Sequence, residues 1–198
     1  MRTALALASM FVVAISSAGA VTVRPVNLFE MVEAAENVFL GQCVAVESDL
    51  DEVTGLPILQ YTFEVLRGLK GVSKGETVTF RQIDSRHGLG LSLPQFRLGE
   101  KSLLFLHAAS RLGLTSPVGL EQGAFQVVNT TEHGLGVINA VMNRNLLINT
   151  GKGRLENSIL TAQETRTMRE QRPIPLEAFQ EIVRKIDLSH RGSGPGLK

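Results

Sequence analysis

The sequence predicts a mainly β protein: a small antiparallel barrel or sandwich, with a short N-terminal helix and a C-terminal amphipathic helix packed on it. Five short runs between residues 38 and 128 have the apolar patterning of strands, and polar or glycine-containing turns separate them. Helical patterns flank this block instead of alternating with the strands, which excludes a βαβ architecture. The last of these patterns carries an apolar stripe at helical spacing.

The first element is a short helix in "NLFEMVEAAENV". Asn27 is suited to be the N-cap, and Glu30, three residues later, completes a capping box. The apolar residues of this segment fall on one helical face. They are Leu28, Met31, Val32 and Ala35.

The strands follow. In "VFLGQCVAVE" the first residues are apolar on both faces, and the internal Gly41 indicates a bulge or bend. "SDLDEVTGLP" is an acidic turn, "ILQYTFEVLRGL" alternates as a half-buried antiparallel strand, and "TVTFRQI" is the third strand. "SLLFLH" is apolar on both sides, which predicts a central strand, and "GAFQVV" is the fifth.

The remainder of the chain is less regular until its last helix. "GVINAVMNRNLLIN" suggests a hairpin that turns at residues 143–145, and residues 162–170 are either helical or loose. "PIPLEAFQEIVRKIDL" predicts a helix that packs on the sheet or binds a partner. Its stripe consists of Leu176, Phe179, Ile182, Val183 and Ile186.

The N-terminus has the three-part pattern of a secretory signal peptide. Arg2 precedes an apolar run that gives way to small residues and ends in "AGA" at residues 18–20. The run is shorter than the roughly 20 apolar residues of a membrane-spanning helix. We expect a signal peptide at residues 1–20, export to a bacterial periplasm or the extracellular space, a single domain at residues 21–188, and a disordered tail at residues 189–198.

Charge and hydropathy exclude some partners. Loss of Arg2 with the signal peptide leaves 19 basic and 19 acidic residues. Zero net charge argues against a basic field for nucleic acid. We therefore expect no nucleic-acid partner. No later segment is apolar enough to span a membrane, so we expect no integral membrane segment. Because we expect export, the expected partner is another exported protein.

The single cysteine, Cys43, excludes an internal disulfide. It lies within an apolar strand, which predicts a small buried side chain. A reactive thiol would need an electropositive, partly exposed setting. Pairing with a second molecule stays open.

No catalytic motif is present. The four histidines lack the spacing of a zinc site, and "GLSLP" lacks the second glycine of a nucleophile elbow. "HGLGLSL" is not a phosphate loop, and the acidic residues of the turn at residues 48–57 lack the spacing of a calcium loop. We therefore assign no catalytic residue, metal ligand or cofactor.

The loop "DSRHGLGLSLPQFRLGEK" holds the candidate binding residues. They are His87 and three leucines, Leu89, Leu91 and Leu93, which alternate with small residues. The leucines either pack across one end of the barrel or form an apolar patch for a partner.

The segments "AENVFLGQCVAVES", "YTFEVLRGLKG", "GETVTF", "FRLGEKSLLFLH" and "VGLEQGAFQV" together resemble a set of uncharacterised exported bacterial proteins. Their order is also distantly similar to the netrin-module and tissue-inhibitor-of-metalloproteinases group. This resemblance implies an OB-like barrel and export. It does not extend to the inhibitors' N-terminal cysteine, because the expected mature N-terminus is Val21.

Three functions follow as hypotheses. The first is a non-enzymatic exported binding or interaction domain, whose surface would include the loop at residues 88–95. The second is an inhibitor or regulator of exported proteases that works without an N-terminal cysteine. The third is an enzyme whose site is assembled from scattered residues such as His87, His107 and Glu121.

Overall fold

The computed structural model describes residues 23–87, 92–131, 134–148, 159–170 and 173–192. These residues form a mainly β fold with one seven-stranded sheet and three α-helices. The strands are β1 (Asn37–Leu50), β2 (Pro57–Lys70), β3 (Thr77–Ile83), β4 (Lys101–Leu106), β5 (Ala124–Thr130), β6 (Gly134–Ile138) and β7 (Ile174–Pro175). The α-helices are α1 (Leu28–Ala34), α2 (Ala162–Glu170) and α3 (Leu176–Gly192), and 3-10 turns occur at Ser85–His87 and Leu120–Gly123.

The strand order is β3-β2-β1-β4-β5-β6-β7, and every neighbouring pair is antiparallel. β1 and β2 form a long hairpin of two 14-residue strands. The register of this hairpin shifts at three places, one of them between Leu40 and Gly41. The bulge or bend expected at Gly41 is thereby confirmed.

The sheet separates two apolar cores. One core is rich in aromatic rings and lies on one face of the first four strands. Phe96, from the segment before β4, contacts the rings of Tyr61, Phe63 and Phe80. The other core lies between the opposite face and the helices. β4 contributes to both, because Leu103 and Phe105 face the helices while Leu104 and Leu106 face the aromatic core. The central strand predicted from "SLLFLH" is confirmed.

α1 and α3 supply the helical side of the second core. The capping box of α1 is present: the Glu30 N–H donates to the Asn27 side chain at 2.9 Å, and the Asn27 N–H donates to the Glu30 carboxylate at 3.1 Å. The five apolar residues of the predicted stripe of α3 are all buried in this core. The packing of this helix on the sheet is thus confirmed.

The strand ladder does not close on itself. β3 and β7 are its two edges, so the structure establishes an antiparallel, mainly β fold without establishing a barrel. Two isolated bridges lie beside the ladder. Arg81 pairs in parallel with Leu114, and Leu106 pairs in antiparallel with Pro117.

The hairpin predicted at residues 143–145 is wrong. β6 pairs with β5 and β7, and residues 140–148 are a series of turns with no returning strand. The reason lies in two side-chain amides. The Asn139 N–H donates to the Asn143 side chain at 3.0 Å, and the Asn143 N–H donates to the Asn139 side chain at 2.8 Å. These bonds satisfy the backbone locally, so no strand partner is needed.

Three predicted segments differ in extent from the structure or lie outside it. α3 continues to Gly192, so residues 189–192, which the sequence assigned to a tail, are helical. β1 continues to Leu50, so the acidic turn is confined to residues 51–56. The predicted signal peptide at residues 1–20 and residues 193–198 of the predicted tail lie outside the described residues.

Candidate functional site

β1 loses its partner on one side halfway along its length. Its pairing with β4 covers residues 37–42. The Cys43 N–H then donates to the Glu100 carbonyl, and the Gly99 N–H donates to the Cys43 carbonyl, at the turn that leads into β4. Among the described residues, no strand pairs with this side of β1 from residue 44 to residue 50. Residues 44–50 are therefore called the free edge.

Alternate residues of the free edge direct their backbone groups away from β2. The Asp51 N–H donates to the Leu56 carbonyl across the hairpin, with an N–O distance of 2.9 Å. Successive residues of a strand point their N–H and C=O groups to opposite sides. The outward-facing groups are therefore those of the even-numbered residues. Val46 and Ser48 offer both an N–H and a carbonyl that no described residue binds.

The free edge has a defined length. At its far end the Leu50 N–H donates to the carboxylate of Asp49 at 2.8 Å, so this outward donor is already used. At its near end a register shift lies between Cys43 and Ala45. Unpaired strand edges are templates for another chain. The part of this edge that is open to pairing is thus centred on Val46 and Ser48.

The two faces of the free edge differ in chemistry. Val46 lies opposite Tyr61 on β2, on the face of the aromatic core, and is 40% exposed. Leu50 shares that face and is 62% exposed. Glu47 and Asp49 lie on the other face, and both are exposed. A chain that paired with this edge would meet apolar side chains on one face and carboxylates on the other.

The acidic face opens on a cleft of about 430 Å³. Gln60 donates to the Glu47 carboxylate at 3.0 Å across the hairpin. Arg81 reaches the cleft from β3 and donates to Asp51 at 3.1 Å. Carboxylates outnumber cations in the lining, which includes Glu47, Asp49, Asp51, Glu52, Ile58, Arg81 and Leu112.

Asp51 holds the hairpin turn at the end of the cleft. Its carboxylate accepts the Thr54 hydroxyl at 2.8 Å and the Thr54 N–H at 2.9 Å. The hydrogen bonds from Thr54, together with the charge of Arg81, lower the pKa of Asp51 below its ordinary value, against the opposing effect of desolvation. Asp51 therefore has a structural role in the turn, whereas Glu47 and Asp49 face the open side of the sheet.

The binding residues predicted in the loop after β3 are only partly described. His87 ends the 3-10 turn Ser85–His87, but its side chain lies outside the described residues, as do Leu89 and Leu91. Leu93 is 8% exposed. It lines an apolar cleft of about 280 Å³ together with Leu114 and Leu120. At Leu93, then, the structure favours packing over an exposed patch.

The scattered residues of the enzyme hypothesis are not all brought together. Glu121 accepts the Ser92 hydroxyl at 2.6 Å and lines a cleft of about 410 Å³ that also holds Glu100 and Ser102. His107 is exposed just after β4 and does not line that cleft. Sequence separation gave no sign that Glu100 and Glu121 share a cleft, because that proximity depends on the pairing of β4 with β5.

Cys43 is buried at 1% exposure, in agreement with the prediction. Burial raises the pKa of its thiol, which also donates to the Ala45 carbonyl at 3.5 Å. A thiol in this setting is a poor nucleophile and metal ligand. Cys43 therefore acts as a small core residue next to the register shift where the free edge begins.

The free edge was missed from the sequence because residues 48–50 were assigned to an acidic turn. A signal for a longer strand is present in "VAVESDL". In it Val44, Val46 and Ser48 alternate with Ala45 and Glu47, and this period of two is typical of a strand. The absence of a partner on one side has no signal within the segment itself.

The described residues hold no group of three or more His, Cys, Asp or Glu side chains arranged to bind a metal ion. Within the same residues, no helix has the length and apolarity needed to cross a membrane. No protein-family model matches the chain, and no curated protein matches it either.

Proposed function

We propose that this protein is an exported, non-enzymatic interaction domain that binds an extended segment of another exported protein by β-strand addition at the free edge. The observation that carries the proposal is the pair of outward-facing residues, Val46 and Ser48, whose N–H and carbonyl groups no described residue binds. In strand addition, main-chain hydrogen bonds to such an edge supply affinity, and side-chain contacts at alternate positions supply specificity. The signal-peptide pattern at residues 1–20 supports the location.

Natural sheets usually protect their open edges, and parts of the two terminal strands of this sheet are short or covered. β7 is only two residues long. β3 is covered near its end, where Leu114 bridges to Arg81 and the Thr115 N–H donates to the Arg81 carbonyl at 2.9 Å. The free edge is longer than β7, and its apolar side chains are exposed. An unprotected edge of this kind is consistent with a binding role.

We further propose that the first four strands form an OB-like barrel, as the resemblance to exported bacterial proteins implies. Two isolated bridges support this. The chain after β4 pairs in parallel with β3 at Leu114 and in antiparallel with β4 at Pro117. It therefore lies between two strands that are three places apart in the ladder. Such a segment would serve as the fifth strand of a small barrel.

Substitution of Ser48 by proline tests the proposed function. Proline removes the outward N–H of Ser48 and leaves the bonds of β1 to β2 in place. The probe is a library of random ten-residue peptides displayed on phage, selected on the folded mature protein. Peptides selected on the natural protein should bind Ser48→Pro at least about tenfold more weakly, which corresponds to the loss of one or two hydrogen bonds.

Thr77→Pro is the matched control, because Thr77 is the exposed first residue of another edge strand, β3. It should leave peptide binding unchanged. Loss of binding in Thr77→Pro with full binding in Ser48→Pro would place the site on β3 and contradict the proposal. Failure to select any peptide would contradict it as well.

A further inference from the structure

The chemistry of the free edge restricts the sequence of the segment that it accepts. An added strand pairs residue by residue with the strand that it joins, and directly opposed side chains lie about 4.5–5.5 Å apart on the same face. Two consecutive residues of the added strand therefore point to opposite faces. One set of its side chains lies beside Val46 and Leu50, and the other set lies beside Glu47 and Asp49.

The acidic face favours positively charged side chains in the added strand. The cation that lines the described part of this cleft, Arg81, already pairs with Asp51 at 3.1 Å. Gln60 donates to Glu47 but brings no charge. Glu47 and Asp49 thus keep their negative charge beside an open strand edge. A lysine or arginine opposite either one gains attraction, whereas a carboxylate is repelled.

The face of Val46 and Leu50 favours apolar side chains in the added strand. Val46 and Leu50, which lie on this face, are apolar and exposed. Contact with apolar side chains of an added strand would remove this surface from water. Valine, isoleucine and aromatic residues suit that contact because they favour extended backbone.

A second copy of this chain is a poor occupant. If two free edges paired around a twofold axis, Glu47 and Asp49 of one copy would lie against the same carboxylates of the other. Like charges opposite one another in adjacent strands are destabilising. The edge therefore suits a partner of complementary charge better than it suits itself.

We propose that the partner segment is an extended strand of alternating character, with lysine or arginine facing Glu47 and Asp49 and β-branched or aromatic residues facing Val46 and Leu50. This inference rests on the proposed strand addition. It goes further by naming the class of ligand: a basic, amphipathic β-strand from another protein.

Three synthetic ten-residue peptides test it, each with valine at alternate positions and lysine, serine or glutamate at the others. Binding to the mature protein is measured by fluorescence anisotropy at low salt. The lysine peptide should bind most tightly and the glutamate peptide least, with steps of roughly two- to fivefold per charged pair. Raising the salt concentration should bring the three affinities together, because exposed charge pairs are screened.

The double variant Glu47→Lys, Asp49→Lys should reverse the order of the lysine and glutamate peptides. Glu33→Lys, Glu181→Lys is the matched control, because it makes the same change in net charge at exposed positions of α1 and α3. It should keep the natural order. An order that the first variant does not change, or that the control also reverses, would overturn the inference.

The remaining outcomes separate this inference from the proposed function. If all three peptides bind equally and Ser48→Pro weakens them all, strand addition stands and the charge preference is overturned. If none of the three binds, but peptides of another pattern are selected from the random library, the charge preference alone is overturned. A stable dimer that Ser48→Pro dissociates would show that a second copy occupies the edge, and it would overturn the inference.

Discussion

The two halves of β1 are both extended strand but lie in opposite environments. Residues 38–42 are paired on both sides, by β2 and by β4, and Val38 and Phe39 are fully buried on opposite faces. Residues 44–50 are paired on one side only, and their side chains are exposed or nearly so. The change occurs within two residues, at Cys43 and the register shift beside it.

Strand character and strand pairing are therefore set by different parts of the sequence. Alternating and β-branched residues make both halves extended. Whether a half of β1 is paired on its second side depends on the length of β4, which has six residues and begins at Lys101. The first half is therefore part of the core, and the second half is an extended ribbon held only by β2.

The largest contrast is expected from side-chain truncation. Phe39→Ala removes a ring that is fully buried and packs edge-on against Phe63 at a centroid distance of 6.1 Å. It should lower the free energy of unfolding by about 3–5 kcal/mol. Val46→Ala, in the other half, should change it by about 0.5 kcal/mol or less. Urea denaturation followed by circular dichroism measures both, and equal losses would contradict the contrast.

A smaller contrast is expected from proline at two adjacent positions of the free edge. Glu47→Pro removes an N–H that points toward β2, so it should cost about 1–3 kcal/mol of unfolding free energy. Ser48→Pro removes an N–H that points outward, so it should cost less than about 1 kcal/mol. Thermal and urea unfolding of the two variants would test which amides face β2.

Reversal of that order, with Ser48→Pro the more destabilising variant, would show that the backbone directions have been assigned to the wrong residues. In that case the outward groups would belong to Ala45, Glu47 and Asp49, and the acidic side chains would face the aromatic core.

The smallest effect concerns the turn that ends the free edge. Because the pKa of Asp51 is lowered on folding, its contribution to stability is full above the ordinary carboxyl pKa of about 3.9 and is lost as the pH falls through the lower, folded value. Asp51→Asn should therefore be less stable than the natural protein at pH 7, and the difference should shrink at pH 3. Glu52→Gln, on the same turn, is the control. A difference that grows on acidification would contradict the stated direction of the shift.

Local signals predicted most of the elements. The capping box at Asn27 and Glu30, the alternating face of β2 and the stripe of α3 are each written within one short segment, and each was confirmed. The central position of β4 followed from its being apolar on both faces. The hairpin at residues 143–145 failed because two side-chain amides, Asn139 and Asn143, take the place of a strand partner. Apolar periodicity does not predict such side-chain hydrogen bonds to the backbone.

The candidate site was beyond the same reasoning. The free edge exists because Lys101, the first residue of β4, pairs with Gln42, while β1 continues to Leu50. This difference in strand length involves residues nearly 60 positions apart in the sequence. The acidic cleft likewise needs Arg81 of β3 beside the turn between β1 and β2. Loop residues such as Leu93 belong to a local pattern of alternating leucines, which the sequence shows directly. An unpaired edge depends on the absence of a neighbouring strand, which no local pattern shows.

Amide hydrogen exchange, measured residue by residue by NMR, tests whether Val46 and Ser48 form an open strand edge. In the free protein the amides of Val46 and Ser48 should exchange fast, while those of Ala45, Glu47 and Asp49, which point toward β2, should exchange slowly. Addition of the lysine–valine peptide should slow exchange at Val46 and Ser48 and leave the other three unchanged. Slow exchange at all five positions in the free protein would show that the edge is already covered and would contradict the account.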